Sequence, residues 1–226
     1  MATLFLNNYL RWFSFDVTYK LPLITPFLIN LVFKYSLKKV KNSGNGLHVI
    51  IGETGVPFDI TSSKFINGLT PSEKALDRTL QAAEKNNMEY VIWNYFHENS
   101  HEHGDMWNQE NLSIRADNSN RGLQSAIRPH IIKYSRGLDI LHQAFDPTLK
   151  HYKLKVGYVK ESSHHSNTHE LVLIYLPSFH FSSEPVIKTA GNSEVILDYK
   201  HQLVKWKVTS CPNYTSCILD IKMAAI

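Results

Sequence analysis

The sequence is poor in cysteine. Only two cysteines, Cys211 and Cys217, occur among 226 residues, and both lie near the end of the sequence. Small secreted domains that depend on disulfides carry several cysteines spread through the chain. We therefore expect a core that owes nothing to disulfides. With 43% hydrophobic residues, the chain can instead bury the core of one large or two small domains.

The sequence also lacks a long apolar run. Its most apolar stretch, residues 21–33, is too short to cross a bilayer and is interrupted by Pro22 and Pro26. It predicts a buried loop and helix, and a patch that dips into a membrane surface is the alternative. The N-terminus has no basic segment followed by an apolar core and a small-residue cleavage site, so no signal peptide is predicted. We expect a cytoplasmic or membrane-peripheral protein.

The sequence also lacks a strong excess of positive or negative charge. The 24 Lys and Arg residues oppose 20 Asp and Glu residues, which gives a formal net charge of +4. The basic residues are scattered except in residues 34–41, at the polar end of the apolar stretch, where positive charge near a helix C-terminus is ordinary. This balance does not favour nucleic-acid binding, and we expect no nucleic-acid partner.

Two patterns of hydrophobic residues follow one another along the chain. In the first, apolar strands alternate with amphipathic helices, which implies neighbouring parallel strands joined by crossovers. The predicted elements are a helix at 28–40, a strand at 48–51, a helix at 70–85 that begins with a capping box of Thr70 and Glu73, a strand at 89–95 and a weaker helix at 119–127.

Beyond Arg128 the pattern changes to short alternating runs, which predict antiparallel strands. These runs are residues 151–159, 170–177 and 194–206, the last with a hairpin turn near residues 200–202. The fold class we predict is an α/β portion followed by a small β-sandwich, with the boundary between residues 128 and 140. The predicted domains are residues 1–130 and 138–209, and the tail at 210–226 carries no pattern that we can interpret.

Glu53 is the first candidate for a functional residue. It follows the apolar residues 49–51 and precedes Gly55 and Pro57, which end a strand. The carboxyl ends of strands in parallel sheets and barrels collect ligands and catalytic groups. The alternative is structural, since a strand-end Glu also caps turns or pairs with a nearby Lys.

The loop after the strand at 89–95 is rich in histidine and acidic residues. Its potential metal ligands are His97, Glu98, His101, Glu102, His103 and Asp105. The spacing of His97 and His101 would suit a metal on a helix, but Asn99, Ser100 and Gly104 favour a loop. We therefore expect solvated histidines, no metal and no other cofactor.

Several stretches, taken in order, resemble glycoside hydrolase family 5. They are IGETGVPFD at 51–59, VIWNY at 91–95, HGDMWNQENLSI at 103–114, and AIRPH at 126–130 followed by FD at 145–146. The resemblance is to the endoglycoceramidase-like branch, which includes fungal glucosylceramidases and steryl glucosidases. It extends from LFLNNYLRWFSFDV at 4–17 to LPSFHF at 176–181.

This resemblance implies a fold, a site and a substrate. The fold is the C-terminal part of a (β/α)₈ barrel, with strands seven and eight, followed by the β-sandwich. Glu53 on strand seven corresponds to the catalytic nucleophile, and Trp93 on strand eight corresponds to the aromatic platform under the sugar. The loop residues that border the lipid side of the cleft are Asp105, Trp107, Asn108 and Glu110. The substrate implied is a β-glycoside of a lipid, such as glucosylceramide or a steryl glucoside.

One motif of the family is missing. Its acid/base residue lies in an Asn-Glu-Pro sequence, and that sequence does not occur here. We therefore expect this chain to correspond to a C-terminal portion that begins after the sixth strand and does not hydrolyse glycosides alone. The alternative is a non-catalytic remnant of such an enzyme that associates with carbohydrate or with a membrane.

Overall fold

The computed structural model describes residues 25–44, 49–58, 69–107, 110–159, 170–211 and 216–223. The chain divides into two compact units, Met1–Ala126 and Ile127–Ile226. The first unit contains α1 (Thr25–Ser43), β1 (Ile50–Thr54), α2 (Pro71–Lys85), β2 (Glu89–Ile92), β3 (Arg115–Ala116), β4 (Ser119–Asn120) and α3 (Leu123–Ala126). The second contains β5 (His130–Tyr134), β6 (Leu138–Asp146), β7 (His151–Tyr158), β8 (Glu170–Tyr175), β9 (Val186–Ala190), β10 (Asn192–Asp198), β11 (Leu203–Ser210) and β12 (Cys217–Lys222).

Helix α2 forms where its capping signals predict it. The Thr70 hydroxyl accepts a hydrogen bond from the Glu73 backbone N–H, and the Glu73 carboxylate accepts one from the Thr70 backbone N–H. This capping box satisfies donors that the helix leaves unpaired in its first turn. The buried face consists of Leu76, Leu80 and Ala83, each at most 1% exposed, which confirms the predicted apolar stripe.

Strands β1 and β2 pair in parallel, which confirms the prediction that they are neighbours. Residues 51–54 of β1 pair with residues 90–92 of β2, so Gly52 and Glu53 together face the single residue Val91. An extra residue of this kind is a β-bulge, which bends the strand and redirects side chains. Glu53 therefore lies inside the strand and within its bulge, whereas the sequence predicted a strand that ends at Ile51.

Only one face of this two-stranded sheet is covered within the described part of the first unit. Tyr90 and Ile92 pack with Leu76 and Leu80 of α2. On the opposite face, Ile50 is 55% exposed and Val91 is 53% exposed. Ile50 is therefore exposed although it belongs to an apolar run, because α2 lies on one side of the sheet only.

Helix α1 confirms the helix predicted at 28–40 and extends it at both ends. The predicted burial of the apolar stretch at 21–33 concerns side chains that lie outside the described residues. Lys41 near its end donates a hydrogen bond to the Asn86 carbonyl oxygen over 2.6 Å, which ties α1 to the end of α2. Across the described residues, no helix is long and apolar enough to cross a bilayer.

The helix predicted at 119–127 is largely wrong. A tight hairpin of β3 and β4 occupies residues 115–120, and only Leu123–Ala126 is helical. Asp117 and Asn118 between the two strands have φ angles of 46° and 61°. Asp and Asn tolerate this left-handed conformation better than most residues do, and it forms the two-residue turns that suit hairpins.

The second unit is a β-sandwich, as predicted. One sheet has the strand order β10-β11-β8-β5 and the other β6-β7-β12-β9, and every pairing is antiparallel. Both sheets contribute to one buried cluster, which includes Phe145, Tyr152, Leu154, Val156, Val172, Ile174, Val204, Trp206, Leu219 and Ile221. The predicted alternation over residues 151–159 is confirmed, since Tyr152, Leu154 and Val156 are buried, and so is the predicted hairpin between β10 and β11.

The tail that carried no interpretable pattern supplies an inner strand of this sandwich. Strand β12 lies between β7 and β9. A disulfide joins Cys211 to Cys217 at its start, and both cysteines belong to the buried cluster. The expectation that the core owes nothing to disulfides is therefore wrong. The sequence did not predict β12 because a strand of six residues gives too short an alternating pattern to recognise. Two cysteines close together in the chain were likewise too weak a signal to predict a disulfide.

His180 is buried in the core of the sandwich. Its ring packs edge-on against Phe145 with 4.8 Å between ring centroids. Its Nε2–H donates a hydrogen bond to the Ile127 carbonyl oxygen over 2.8 Å. Burial lowers the pKa of His180 from 6.5 to about 4, with a smaller contribution from the Arg128 charge, because both disfavour a protonated ring. The folded protein therefore holds this ring neutral.

Lowering the pH from 7 to 5 is expected to reduce the free energy of unfolding through His180. Between pH 6.5 and about 4 only the unfolded chain binds this proton, so the stabilisation is complete above pH 6.5 and is lost as the pH falls. We expect a loss on the order of 1 to 2 kcal/mol at pH 5. Urea unfolding of the full chain at low concentration, followed by tryptophan fluorescence at both pH values, measures it.

The matched variants separate His180 from the other histidines. In His180→Gln the amide can still donate to Ile127 but does not titrate, so the pH dependence should shrink by that amount. His103→Gln replaces a ring that is 64% exposed and should keep the wild-type dependence. An unchanged pH dependence in His180→Gln would contradict this account.

Candidate functional site

The candidate site lies where β1 and β2 end. The Trp93 backbone N–H, directly after β2, donates a hydrogen bond to the Thr54 carbonyl oxygen over 2.8 Å. Thr54 is buried, Glu53 before it is exposed, and Trp93 is partly buried. The Trp93–Asn94 peptide bond is cis. The fold thus brings the two main sequence candidates, Glu53 and Trp93, to the same edge of the sheet.

Gly55 allows this close approach of the two chains. A Cβ atom at position 55 would collide with the Trp93 carbonyl oxygen. The clash would be with backbone rather than with the end of a flexible side chain, so a larger residue would force the strand ends apart. The presence of glycine at position 55 is therefore explained by the fold, because it lets the segment after β1 contact the segment after β2.

The long loop after β2 is organised around the buried carboxylate of Asp105. Its two oxygens accept hydrogen bonds from the backbone N–H groups of Leu112 and Ser113, at 2.9 and 3.2 Å. They also accept from the side-chain amides of Asn99 and Asn94, at 2.5 and 3.4 Å. A buried carboxylate is tolerated when several N–H donors satisfy it in this way. Because Asn94 follows Trp93, the network also fixes the segment that carries the tryptophan.

Arg121, which follows β4, forms hydrogen bonds to several residues of the same loop. Its Nε–H donates to the Ser113 carbonyl oxygen over 2.7 Å, and its Nη2 donates to the side-chain oxygens of Asn99 and Asn111. The guanidinium also lies over the Phe58 ring, 4.8 Å from the ring centroid. These contacts join the loop to the segment after β1, so the loop is a fixed part of the first unit.

The structure separates the predicted loop residues into two groups. Asp105 is 6% exposed and its carboxylate is occupied by the loop itself, so it supports the site from within. Trp107 is 62% exposed, and Glu110 is partly buried. Asn108 lies outside the described residues. Contact of any of these residues with a substrate stays a prediction.

The histidines of this loop are exposed. His97 and His101 are each 72% exposed, and the His101 ring forms a hydrogen bond with the Asp117 carboxylate in the β3–β4 turn. This hydrogen bond to the His101 side chain lowers the pKa of Asp117. The described residues include no group of three or more His, Cys, Asp or Glu side chains placed to hold a metal ion.

Sequence reasoning missed the polar network that holds the loop together. Its members include Asn94, Asn99, Asn111, Ser113 and Arg121. Each of these residue types is common in exposed loops, and their partners lie up to 22 residues apart in the chain. The one available signal was the density of Asn and Asp between residues 94 and 118, which is compatible with any polar loop.

Two curated relatives of the chain are glycosidases by name. No family model matches the chain. The ergosteryl-beta-glucosidase of Saccharomyces cerevisiae is 38% identical over 73 residues, which is 31% of this chain and 10% of the yeast protein. The glucosylceramidase of Rhizopus delemar is 25% identical over 186 residues, which is 75% of this chain and 25% of that protein.

The solved structures that match this chain include glycosidases with similar names. Sterylglucosidase 1 of Cryptococcus neoformans matches with a TM-score of 0.68 and 21% identity, over 86% of this chain and 31% of the fungal chain. The resemblance to the family 5 glycolipid glycosidases is confirmed. Endo-glycoceramidase II of Rhodococcus sp. matches with a TM-score of 0.57 and 14% identity, over 89% of this chain and 38% of the Rhodococcus chain.

Each of these matches covers only part of the relative's own length. The chain spans a quarter or less of the length of its two curated relatives and about a third of the two solved structures. At these sequence identities, the likeness to the solved glycolipid glycosidases shows a shared fold. It does not identify the catalytic residues of this chain.

Proposed function

We propose that this chain supplies the nucleophile of a retaining β-glucosidase that acts on glycolipids. Among the observations that support the proposal, the hydrogen bond between Trp93 and Thr54 carries most weight, because it holds the Glu53 strand end beside a tryptophan. A carboxylate next to a flat apolar ring is the pair that a glycosidase needs, one to react and one to contact the sugar. In this proposal β1 and β2 are strands seven and eight of a (β/α)₈ barrel.

The proposed chemistry begins at the exposed carboxylate of Glu53. One of its oxygens attacks the anomeric carbon and forms a covalent bond to it, while the bond from that carbon to the lipid oxygen breaks. A general acid gives a proton to the departing oxygen. A water molecule then attacks the same carbon, releases Glu53 and gives its proton to the conjugate base of that acid, so the sugar leaves with its original anomeric configuration.

The proposal requires a proton donor from another segment. No Asn-Glu-Pro sequence occurs in the chain, and the two carboxyl groups of a retaining enzyme stand about 5 Å apart. The β1–β2 sheet has two strands, so further barrel strands can pair at its edges, and its open face, with Ile50 and Val91 more than half exposed, offers an apolar surface for their side chains to pack on. We propose that the acid enters the site with those strands.

The substrate class follows from the names of the relatives. The yeast protein is an ergosteryl-beta-glucosidase and the Rhizopus protein a glucosylceramidase. Both names specify glucose on a lipid, so we propose a lipid β-glucoside as the substrate of this chain as well.

The decisive experiment uses a complemented chain, meaning this chain co-expressed with the remaining barrel segment of the Rhizopus delemar glucosylceramidase. We expect it to hydrolyse glucosylceramide, and NMR of the first product formed should show β-glucose, since a double displacement retains configuration. Initial α-glucose would contradict a Glu53 nucleophile. Binding of the glycolipid without any turnover would favour the alternative of a non-catalytic remnant.

A further inference from the structure

Two neighbouring apolar side chains project from the loop after β2. Met106 is 61% exposed and Trp107 is 62% exposed. We call these two residues the apolar tip. Isolated apolar residues on a surface are ordinary, but an exposed tryptophan leaves a large apolar area in water and is enriched where proteins meet partners or membranes.

The apolar tip stands on a fixed backbone. The Asp105 N–H donates to the Glu110 carbonyl oxygen over 2.7 Å, and the Glu110 N–H donates to the Trp107 carbonyl oxygen over 2.8 Å. The Met106 N–H donates to the His103 carbonyl oxygen over 3.2 Å, with Met106 at a φ of 53°. Together with the buried Asp105 carboxylate, these bonds hold the tip in place before any partner arrives, which reduces the entropy cost of binding.

The apolar tip belongs to the same end of the sheet as Glu53. Behind the tip, the loop is joined to the segment after β1 by the hydrogen bond from the Phe58 N–H to the Asn111 carbonyl oxygen, 2.8 Å. It is joined to the residue after Trp93 by the bond from the Ile114 N–H to the Asn94 carbonyl oxygen, 2.9 Å. The loop therefore rises from the edge at which the candidate site lies.

We propose that the apolar tip inserts into the surface of a lipid bilayer and holds the site against the membrane that carries the substrate. This inference rests on the proposed function, because a lipid glucoside is presented by a bilayer. Indole rings favour the boundary between lipid and water, and a methionine side chain adapts to irregular apolar surroundings. The polar side chains of residues 101–103 are exposed and can remain in water.

The charge around the apolar tip specifies the kind of membrane. Residues 96–114 include neither lysine nor arginine, so no cationic cluster is available there to attract anionic lipids. The tip should therefore bind uncharged phosphatidylcholine bilayers, and its binding should change little with salt. This lipid and salt dependence distinguishes binding through the apolar tip from binding through the exposed Lys38 and Lys39 of α1. Binding through those lysines would favour anionic vesicles at low salt.

The test measures partitioning of the full chain, and of the complemented chain, onto phosphatidylcholine vesicles. Replacing Met106 and Trp107 together by serine should lower the partition coefficient roughly tenfold or more, since it removes the buried apolar area. Leu149→Ser is the matched control, because Leu149 is 67% exposed but lies in the second unit. It should leave partitioning unchanged. Circular dichroism and unfolding midpoints check that the double variant folds.

Three outcomes would overturn this inference. They are no binding of the wild type to phosphatidylcholine, equal binding by the tip double variant, and binding that requires anionic lipid and disappears in Lys38→Glu/Lys39→Glu. Failure of the proposed function can be told apart from failure of this inference, because vesicle binding and turnover are measured separately. Glu53→Gln should bind vesicles as the wild type does, although it should not turn over substrate. Vesicle binding that depends on the tip, in a complemented chain without turnover, would support the tip and refute the proposed function.

Discussion

Glu53→Gln in the complemented chain is expected to lower kcat for glycoside hydrolysis by roughly 10⁴-fold or more while changing substrate binding little. The amide keeps the shape of the side chain but is too weak a nucleophile to form the covalent bond to the anomeric carbon. Steady-state kinetics with glucosylceramide and with a water-soluble aryl glucoside measure kcat and KM separately. Turnover by Glu53→Gln at the wild-type rate would place the nucleophile elsewhere.

Three further substitutions, at Trp93, Glu89 and Glu53 itself, separate the role of the nucleophile from that of its surroundings. Trp93→Ala should raise KM more than it lowers kcat, because it removes an apolar face for the sugar rather than the reacting group. Glu89→Gln changes another exposed carboxylate, at the start of β2, and should leave both constants unchanged. In Glu53→Ala, added azide should take the place of the carboxylate and yield the α-glucosyl azide.

The chain expressed alone is expected to show no measurable hydrolysis of glucosylceramide. Without a proton donor, the lipid alkoxide is a poor leaving group, and general acid catalysis typically contributes about 10²- to 10⁴-fold. Aryl glucosides with acidic phenols need little protonation and are the fairer substrate for detecting residual activity. Hydrolysis of glucosylceramide by the purified chain at rates typical of glycosidases would mean that a complete site exists within these residues.

The same open sheet should make the chain alone poorly soluble. Ile50 and Val91 are more than half exposed on a sheet of only two strands, and exposed apolar strands recruit other strands. Val91→Lys should increase the monomeric fraction in size-exclusion chromatography and light scattering, since a charge on this face opposes strand addition. Leu149→Lys, on an exposed turn of the second unit, is the control and should have little effect. A wild-type chain that stays monomeric at high concentration would contradict this expectation.

Elements with strong local signals were predictable from the sequence. Helix α2 is predicted by Thr70, Pro71 and Glu73 at its start and by an apolar stripe along one face. These signals depend on neighbours within four residues. The alternation in β7 and the turn after β10 are equally local. The hairpin of β3 and β4 was missed because Asp117 and Asn118 are compatible with a turn in many contexts, and only the observed backbone selects this one.

The sequence by itself indicated an α/β part followed by a β-sandwich, the parallel neighbours β1 and β2, and Glu53 as a candidate, because each depends on periodicity or on residues that are close in the chain. Trp93 became a candidate through the resemblance to glycoside hydrolase family 5. Only the tertiary structure decided how the candidates are arranged. The bulge that holds Glu53 depends on the register with β2, and the burial of Asp105 depends on donors from Asn94 to Ser113. The place of β12 depends on two distant strands. Pairing and burial of this kind are set by contacts between segments far apart in the chain, and no local pattern encodes them.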